Sequence, residues 1–490
     1  MMRIVRHCVL LATLAACAKN PQVVRDSGQP STPTVAIDAG PLTGSIDSSS
    51  GVLVFRGVPY AAPPVGNLRW RAPMPAPHWT AVRAADRLGK NCMQAQIYSD
   101  IDPFAAGVSE DCLYLNVWTT ALGTSAKRPV MVWIYGGGYN AGFGGEERHN
   151  GARLAQKGAV VVTFNYRLGI FGFLSHPALA AETPEGASGN YAILDQIAAL
   201  QWVQRNIARF GGDPSRVTIF GESAGGSSVA ALIASPLAKG LFHRGILQSG
   251  NAIGGVRPPA SVHDEGIRFA STVGITGTGS DALARLRAIP ADSLLRATRP
   301  PNATGGFGST FAPRLVSDGW VLPRTIDSSL ARGTANVVPV IVGATGGEGD
   351  GAYASARAFA RLTSAQHANA YLYLFTRVGD DSANRRRGAY HSADITFTFG
   401  RPRPILESAG RTAYDSTLAE AMSDYWVAFA TTGDPNGPPS AGKRPRWPVY
   451  EKTTDAYMEL GPEIVARSAL RRSVYDSLDA VGRARGEVRP

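Results

Sequence analysis

The chain has 490 residues, of which 44% are hydrophobic and 18% charged, so it can bury a large core and is not a disordered protein. Its net charge is +11, but the Lys and Arg residues are dispersed along the sequence. The densest basic cluster, Arg385-Arg386-Arg387, has no aromatic residues interleaved with it. We therefore interpret the charge as a solvated basic surface and predict no nucleic-acid partner.

The N-terminus resembles the signal of a bacterial lipoprotein. Residues 1–7 are basic and residues 8–16 are apolar, but the apolar stretch is too short to span a bilayer. It ends in Leu14-Ala15-Ala16-Cys17, so we predict cleavage before Cys17 and acylation of that cysteine, with cleavage by an ordinary signal peptidase as the alternative. Residues 17–33 are predicted to form a flexible tether. We expect an exported protein, periplasmic, anchored in the outer membrane or extracellular, that contacts the membrane only through its lipid.

Cysteine usage predicts one disulfide. Of the four cysteines, Cys8 lies in the leader and Cys17 is the predicted acylation site, so only Cys92 and Cys112 remain in the body of the mature protein. Two thiols in an exported protein favour a disulfide, and two buried free thiols are the alternative.

Strand-like and helix-like segments alternate from about residue 112 onward. Apolar runs predict strands at Cys112–Trp118, Val130–Tyr135, Ala159–Phe164, Val217–Phe220, Ile246–Gln248, Val338–Val342 and Ala370–Phe375. Between them, Tyr191–Arg209 carries apolar residues at helical spacing and is followed by the stop signal Gly211-Gly212. Residues 34–70 are typical of an antiparallel hairpin region. The pattern predicts one α/β domain over residues 34–490, with a mostly parallel sheet flanked by helices.

A G-x-S-x-G motif lies between a predicted strand and a predicted helix. Gly221-Glu222-Ser223-Ala224-Gly225 follows the strand at Val217–Phe220 and precedes the apolar, small-residue run Val229–Ala234. This is the context of the nucleophile elbow of an α/β-hydrolase, in which the serine sits on a sharp turn above the sheet. We predict that Ser223 is a catalytic nucleophile and that the glycines leave room for the turn.

A second glycine-rich segment follows an earlier predicted strand. The backbone N–H groups of Tyr135-Gly136-Gly137-Gly138, together with that of Ala224, can form an oxyanion hole; a turn that needs positive φ is the alternative. No G-x-G-x-x-G motif opens a helix after the first strand, and no metal-ligand motif such as H-E-x-x-H occurs. We therefore predict neither a cofactor nor a metal.

The order of the triad in α/β-hydrolases identifies candidates for the base and the acid. The order is serine, acid, histidine. His367 and His391 follow the candidate acids, but His367 precedes the strand Ala370–Phe375 and so lies at its wrong end, which favours His391. For the acid, Glu348 is closer to the end of its strand than Asp350, so we favour Glu348 and keep Asp350 as the alternative.

Several further motifs resemble the type-B carboxylesterases, the family of the bacterial p-nitrobenzyl esterases and the cholinesterases. The resemblance extends over about residues 35–460. It is carried by Phe55–Tyr60, Ser109–Trp118, Trp133–Gly138, Asn165–Gly169, Leu194–Gln196, Phe210–Pro214 and Phe220–Gly226.

The resemblance implies a specific set of functional residues. It places the nucleophile, acid and base at Ser223, Glu348 and His391. The oxyanion donors become Gly137, Gly138 and Ala224, the family's first disulfide becomes Cys92–Cys112, and a buried ion pair would join Glu110 to Arg167. The acid segment departs from the family's Asp-Glu-Gly pattern and reads Gly347-Glu348-Gly349.

The resemblance also implies hydrolysis of carboxylic esters through an acyl-enzyme, without a cofactor. The cholinesterase loop between the two cysteines contains a choline-binding Trp, but residues 93–111 contain none. We therefore expect neutral, hydrophobic, short-chain or aryl esters as substrates. Tyr98 and Phe104 either line an apolar entrance or only pack this loop against the body. A non-catalytic adhesion protein and an enzyme acting on amides, carbamates or lactones are the other interpretations.

Overall fold

A computed structural model of the chain describes residues 32–99, 101–104, 106–299, 310–379, 386, 388–400, 413–437 and 444–484. From Pro33 onward the described residues form one compact unit. The predicted signal peptide, the lipidation site at Cys17 and nearly all of the tether lie outside the described residues, so they stay predictions. Among the described helices, none is both long and apolar enough to cross a membrane.

The strands of the described residues share one large sheet and three small ones. They are β1 Thr34–Ala36, β2 Pro41–Thr43, β3 Ser45–Ile46, β4 Leu53–Pro59, β5 Arg83–Ala84, β6 Asn91–Cys92, β7 Val108–Ser109, β8 Tyr114–Thr119, β9 Arg128–Ile134, β10 Val160–Phe164, β11 Gly212–Glu222, β12 Arg244–Gln248, β13 Val256–Arg257, β14 Leu315–Val316, β15 Val340–Thr345, β16 Ala370–Phe375, β17 Ala456–Leu460 and β18 Ile464–Ser468.

The large sheet has the order β18-β17-β16-β15-β12-β11-β9-β10-β8-β4-β3 among the described strands. The seven strands from β17 to β10 in this order run parallel. The strands at both edges, β18 on one side and β8, β4 and β3 on the other, pair antiparallel. The α/β fold with a mostly parallel sheet is therefore confirmed.

The helices separate the parallel strands along the chain. They are α1 Ala152–Gln156, α2 Gly169–Phe173, α3 Pro177–Ala180, α4 Tyr191–Asn206, α5 Ala224–Ala234, α6 Pro259–Thr272, α7 Ser280–Ala288, α8 Ala291–Ala297, α9 Ile326–Ala331, α10 Asp350–Ala365, α11 Ile395–Thr398, α12 Ala413–Thr432 and α13 Arg472–Ala484. Helices α5, α10 and α12 pack on the parallel strands. Every residue of β10 and β15 is buried, as expected for strands with both faces covered.

Most predicted segments differ from the observed ones only at their ends. Strand β16 has the predicted bounds, whereas β11 begins at Gly212, with an irregular register between Gly212 and Val217. The predicted helix Tyr191–Arg209 is α4 followed by a 3-10 turn at Ile207–Phe210. Gly211 ends that turn with a φ of +80°, which is the conformation that favours glycine at a helix end.

An ion-pair cluster attaches the C-terminal helix α13 to α10. The guanidinium of Arg357, fully buried in α10, binds Asp455 at 2.8 Å, Asp476 at 2.8 Å and Asp479 at 3.2 Å. Asp455 and Asp479 are themselves 3% and 2% exposed. Because α10 begins two residues after Glu348, this cluster fixes the helix that follows the candidate acid.

Arg357→Ala should lower the free energy of unfolding by about 3–5 kcal/mol, because it removes the buried cation shared by Asp455 and Asp479 and leaves Asp479 with Arg361 alone. Denaturant titration of the purified variant measures this loss. Arg153→Ala is the matched control, since Arg153 is 42% exposed and pairs with Glu420, which is 48% exposed. It should cost at most about 1 kcal/mol. Equal losses in both variants would contradict the assignment of the cluster as a buried structural core.

Candidate active site

The carboxyl ends of the parallel strands bring the predicted site residues to one edge of the sheet. Strand β11 ends at Glu222, directly before Ser223, and β15 ends at Thr345, three residues before Glu348. Strand β16 ends at Phe375, upstream of the segment that carries His391. Strand β9 leads into the glycine bend, Gly136–Gly138. Ligands of parallel α/β sheets bind at this edge.

Ser223 lies on a strained turn that glycine makes possible. Its φ is +57° and its ψ is −122°, a conformation that non-glycine residues rarely adopt. A Cβ on Gly225 would lie 1.9 Å from the carbonyl oxygen of Ile134, and one on Gly221 would lie 2.6 Å from it. Helix α5 starts directly after Ser223, at Ala224. The G-x-S-x-G spacing is therefore required by backbone packing against β9.

His391 joins Ser223 to Glu348. Its Nε2 lies 2.8 Å from the Ser223 Oγ, and its Nδ1 is hydrogen-bonded to the Glu348 Oε1. The three side chains thus form one hydrogen-bonded chain in the order serine, histidine, glutamate. This arrangement can transfer a proton from a serine hydroxyl to a histidine whose tautomer a carboxylate fixes.

The Glu348 carboxylate is held by the ends of two strands. Its Oε2 accepts hydrogen bonds from the Thr345 N–H at 2.8 Å, the Thr345 Oγ1 at 2.9 Å and the Ser249 Oγ at 2.5 Å. Burial alone would raise the pKa of Glu348, but the bond from His391 and these donors hold that pKa below its usual range. Sequence reasoning missed Ser249, although its position directly after β12 places it at the same edge.

The structure does not bring the two alternative residues to Ser223. Asp350 starts α10, and its Oδ1 accepts from Arg471 at 2.5 Å and from the Tyr475 hydroxyl at 3.3 Å. His367 lies three residues before β16, at the amino end of that strand. Among the described contacts, His391 hydrogen-bonds to Ser223 and Glu348 hydrogen-bonds to His391. The alternatives, Asp350 and His367, take no part in these bonds.

A second carboxylate, Glu222, contacts the same histidine. Its buried Oε1 lies 3.2 Å from the His391 Nε2 and accepts from the Ser392 Oγ at 2.7 Å. Burial raises the pKa of Glu222 to about 7, although the charge of His391 lowers it. Burial alone would lower the pKa of His391, but the bond to Glu348 and the charge of Glu222 outweigh it and raise this pKa to about 9. Sequence reasoning gave Glu222 no role, although it adjoins Ser223.

The glycine bend lies against Ser223. A Cβ on Gly136 would lie 2.8 Å from the Ser223 Cβ, and a Cβ on Gly137 would lie 2.2 Å from the carbonyl oxygen of Ala141. Gly137 and Gly138 have φ values of +100° and +61°. Their N–H groups donate no hydrogen bond to another described residue. The bend therefore fits both interpretations of its glycines. It is a turn that needs positive φ, and its N–H groups are also available to a ligand at Ser223.

The predicted disulfide between Cys92 and Cys112 is present, and it closes the loop that we call the disulfide loop, residues 92–112. Tyr98 packs on a small cluster of Ile101, Ala141 and Phe143. Phe104 is 52% exposed. Tyr98 thus packs this loop onto the segment after the glycine bend, whereas Phe104 faces solvent.

The predicted ion pair between Glu110 and Arg167 is wrong. Glu110 instead receives two hydrogen bonds from Arg69, at 2.5 and 2.6 Å. Arg167 binds both carboxylate oxygens of Asp195 on α4, at 2.6 and 2.7 Å. Each acid thus receives a two-pronged contact from its own arginine, Glu110 from Arg69 and Asp195 from Arg167.

Comparison with known proteins gives one consistent family. The carboxylesterase family matches residues 31–358 and 351–477. Fumonisin B1 esterase of Sphingopyxis macrogoltabida is 36% identical, over 84% of this chain and 84% of its own length. Para-nitrobenzyl esterase of Bacillus subtilis (strain 168) is 33% identical, over 85% of this chain and 93% of its own. The crystal structure of a Geobacillus stearothermophilus carboxylesterase matches with a TM-score of 0.76 and 30% identity, over 90% of this chain and 99% of its own.

Glu222→Gln should lower the pKa of His391, because the variant removes a negative charge that stabilises the imidazolium at Nε2. Titration of the His391 ring signal by NMR measures this pKa without any substrate. The matched control is Glu182→Gln, which makes the same change in a carboxylate that pairs with Arg287. It should leave the pKa of His391 unchanged. An unchanged or higher pKa in Glu222→Gln would show that Glu222 does not act on the histidine electrostatically.

Proposed function

Because the chain belongs to the carboxylesterase family, whose named relatives are carboxylic ester hydrolases, we propose that it cleaves esters through an acyl-enzyme on Ser223. The observation that carries the proposal is the hydrogen-bonded chain from the Ser223 Oγ through His391 to Glu348. A nucleophile, a base that can accept its proton and a carboxylate that orients the base are what acyl transfer requires.

The first half of the proposed reaction forms the acyl-enzyme. The Ser223 Oγ attacks the ester carbonyl carbon while its proton moves to the Nε2 of His391. The negative charge then resides on the former carbonyl oxygen, where the N–H groups of Gly137, Gly138 and Ala224 are proposed to stabilise it. His391 returns its proton to the leaving alkoxide, and the C–O bond to the alcohol breaks.

The second half repeats these steps with water. His391 takes a proton from water, whose oxygen attacks the acyl carbon, and then protonates the Ser223 Oγ as the acid leaves. In both halves the imidazolium is short-lived and must be stabilised. We propose that Glu348 does so at Nδ1 and that Glu222, 3.2 Å from Nε2, does so at the other nitrogen.

Neutral, hydrophobic esters are the proposed substrates. Residues 93–111 contain no Trp, so the disulfide loop has no strong cation–π platform for a quaternary ammonium group. Three side chains of this loop, Ile97, Tyr98 and Ile101, pack with Ala141 and Phe143 in one small apolar cluster. An apolar wall favours a hydrophobic alcohol or aryl group.

Ser223→Ala should reduce turnover of p-nitrophenyl esters by roughly 10⁴-fold or more and abolish labelling by a fluorophosphonate probe, since the nucleophile is lost. His391→Ala should be similarly inactive. His367→Ala serves as the matched control and should hydrolyse at the normal rate, because His367 lies at the opposite edge of the sheet. Normal turnover by Ser223→Ala would refute the proposed function.

Butyrylcholine should be hydrolysed no better than 3,3-dimethylbutyl butyrate, its neutral isostere. The triad treats the two esters alike, so the difference in kcat/KM reports only how the alcohol group binds. A preference of more than about tenfold for the cation, worth about 1.4 kcal/mol, would show that another residue provides the missing platform.

A further inference from the structure

The hydroxyl of Tyr98 lies beside the glycine bend. A Cβ built on Gly138 would be 3.5 Å from the Tyr98 hydroxyl oxygen. Gly138 has a φ of +61°, follows Gly137 and Gly136, and Gly136 lies against the Ser223 Cβ. A side-chain hydroxyl from the disulfide loop therefore reaches the segment whose N–H groups are the proposed oxyanion donors.

Several contacts hold Tyr98 in this place. Gln94, four residues earlier, makes a reciprocal pair of hydrogen bonds with the backbone of Gly142, at 2.9 and 3.0 Å. Ile101, three residues later, packs with Ala141 and Phe143, which follow the glycine bend in the chain. The disulfide closes both ends of the loop. The loop and the bend are thus joined on either side of Tyr98, so its hydroxyl is positioned before any ligand binds.

Building on the proposed function, we propose that Tyr98 is a further catalytic residue, whose hydroxyl donates a hydrogen bond to the oxyanion of the tetrahedral intermediate. A phenol keeps its proton at neutral pH and can accept one hydrogen bond while it donates another. Hydrogen bonds to an ionised acceptor are about twice as strong as neutral ones. The donor therefore stabilises the intermediate more than the neutral ester, which is the condition for raising kcat.

The test is Tyr98→Phe, which keeps the ring on its apolar cluster and removes only the hydroxyl. Loss of an oxyanion donor lowers kcat by about 10²-fold, so we expect a fall of that order with little change in KM. The fall should be the same for p-nitrophenyl, ethyl and benzyl butyrate, because the oxyanion is common to all. A trifluoromethyl ketone should bind more weakly by the same factor, since Ser223 adds to its carbonyl to give an oxyanion.

Two comparisons separate this role from packing. Tyr114→Phe removes a tyrosine hydroxyl that donates to Asp111 within the disulfide loop, at 2.8 Å, and should leave kcat unchanged. A fluorinated tyrosine at position 98 restores a donor of nearly the same shape and should restore the rate that phenylalanine loses. Thermal unfolding of each variant shows whether a lost rate reflects a lost fold.

An unchanged kcat in Tyr98→Phe would overturn the proposal, as would a fall confined to one alcohol group, which indicates a contact with the leaving group. A fall that fluorotyrosine does not restore would also overturn it. These results are distinct from failure of the proposed function. If Ser223→Ala is inactive and Tyr98→Phe is normal, only the role of Tyr98 is refuted, whereas an active Ser223→Ala refutes both.

Discussion

The close approach of two backbone segments, the end of β9 and the turn at Ser223, is the constraint on which the site depends. The carbonyl of Ile134 leaves no space for a side chain at Gly221 or Gly225, and Gly136 leaves none beside Ser223. With no side chain between them, the turn and the glycine bend cannot shift independently. The proposed nucleophile and the proposed oxyanion donors therefore keep one geometry, so little reorganisation is needed when charge develops.

The second organising feature is a histidine placed between two carboxylates. Glu348 contacts Nδ1 and Glu222 approaches Nε2, and each acid has its own serine donor, Ser249 and Ser392. Burying a carboxylate costs free energy, and the raised pKa of Glu222 reflects that cost. The proposed reaction recovers it when His391 becomes a cation, because the imidazolium then has an anionic partner at each nitrogen.

The predicted residues that the structure brings together are those whose positions local backbone chemistry determines. The turn at Ser223 must have glycines at fixed spacing, and the strand order places Glu348 and His391 at the same edge, so both follow from the one-dimensional pattern. Contacts between distant side chains leave no such pattern. That is why Ser249 was missed and why Arg167 was paired with the wrong acid: its choice of Asp195 depends on how α4 packs.

The departure of the acid segment from the family's Asp-Glu-Gly pattern has a physical reason at Gly347. The Gly347 N–H donates to the carbonyl of Ala389 at 2.9 Å, and a Cβ on Gly347 would lie 2.7 Å from that same oxygen. A backbone hydrogen bond therefore joins the two segments. Gly347 lies one residue before Glu348, and Ala389 lies two residues before His391. A side chain at Gly347 would push them apart. The missing aspartate thus coincides with a close contact between the backbone segments that carry Glu348 and His391, and this contact relies on no side chain.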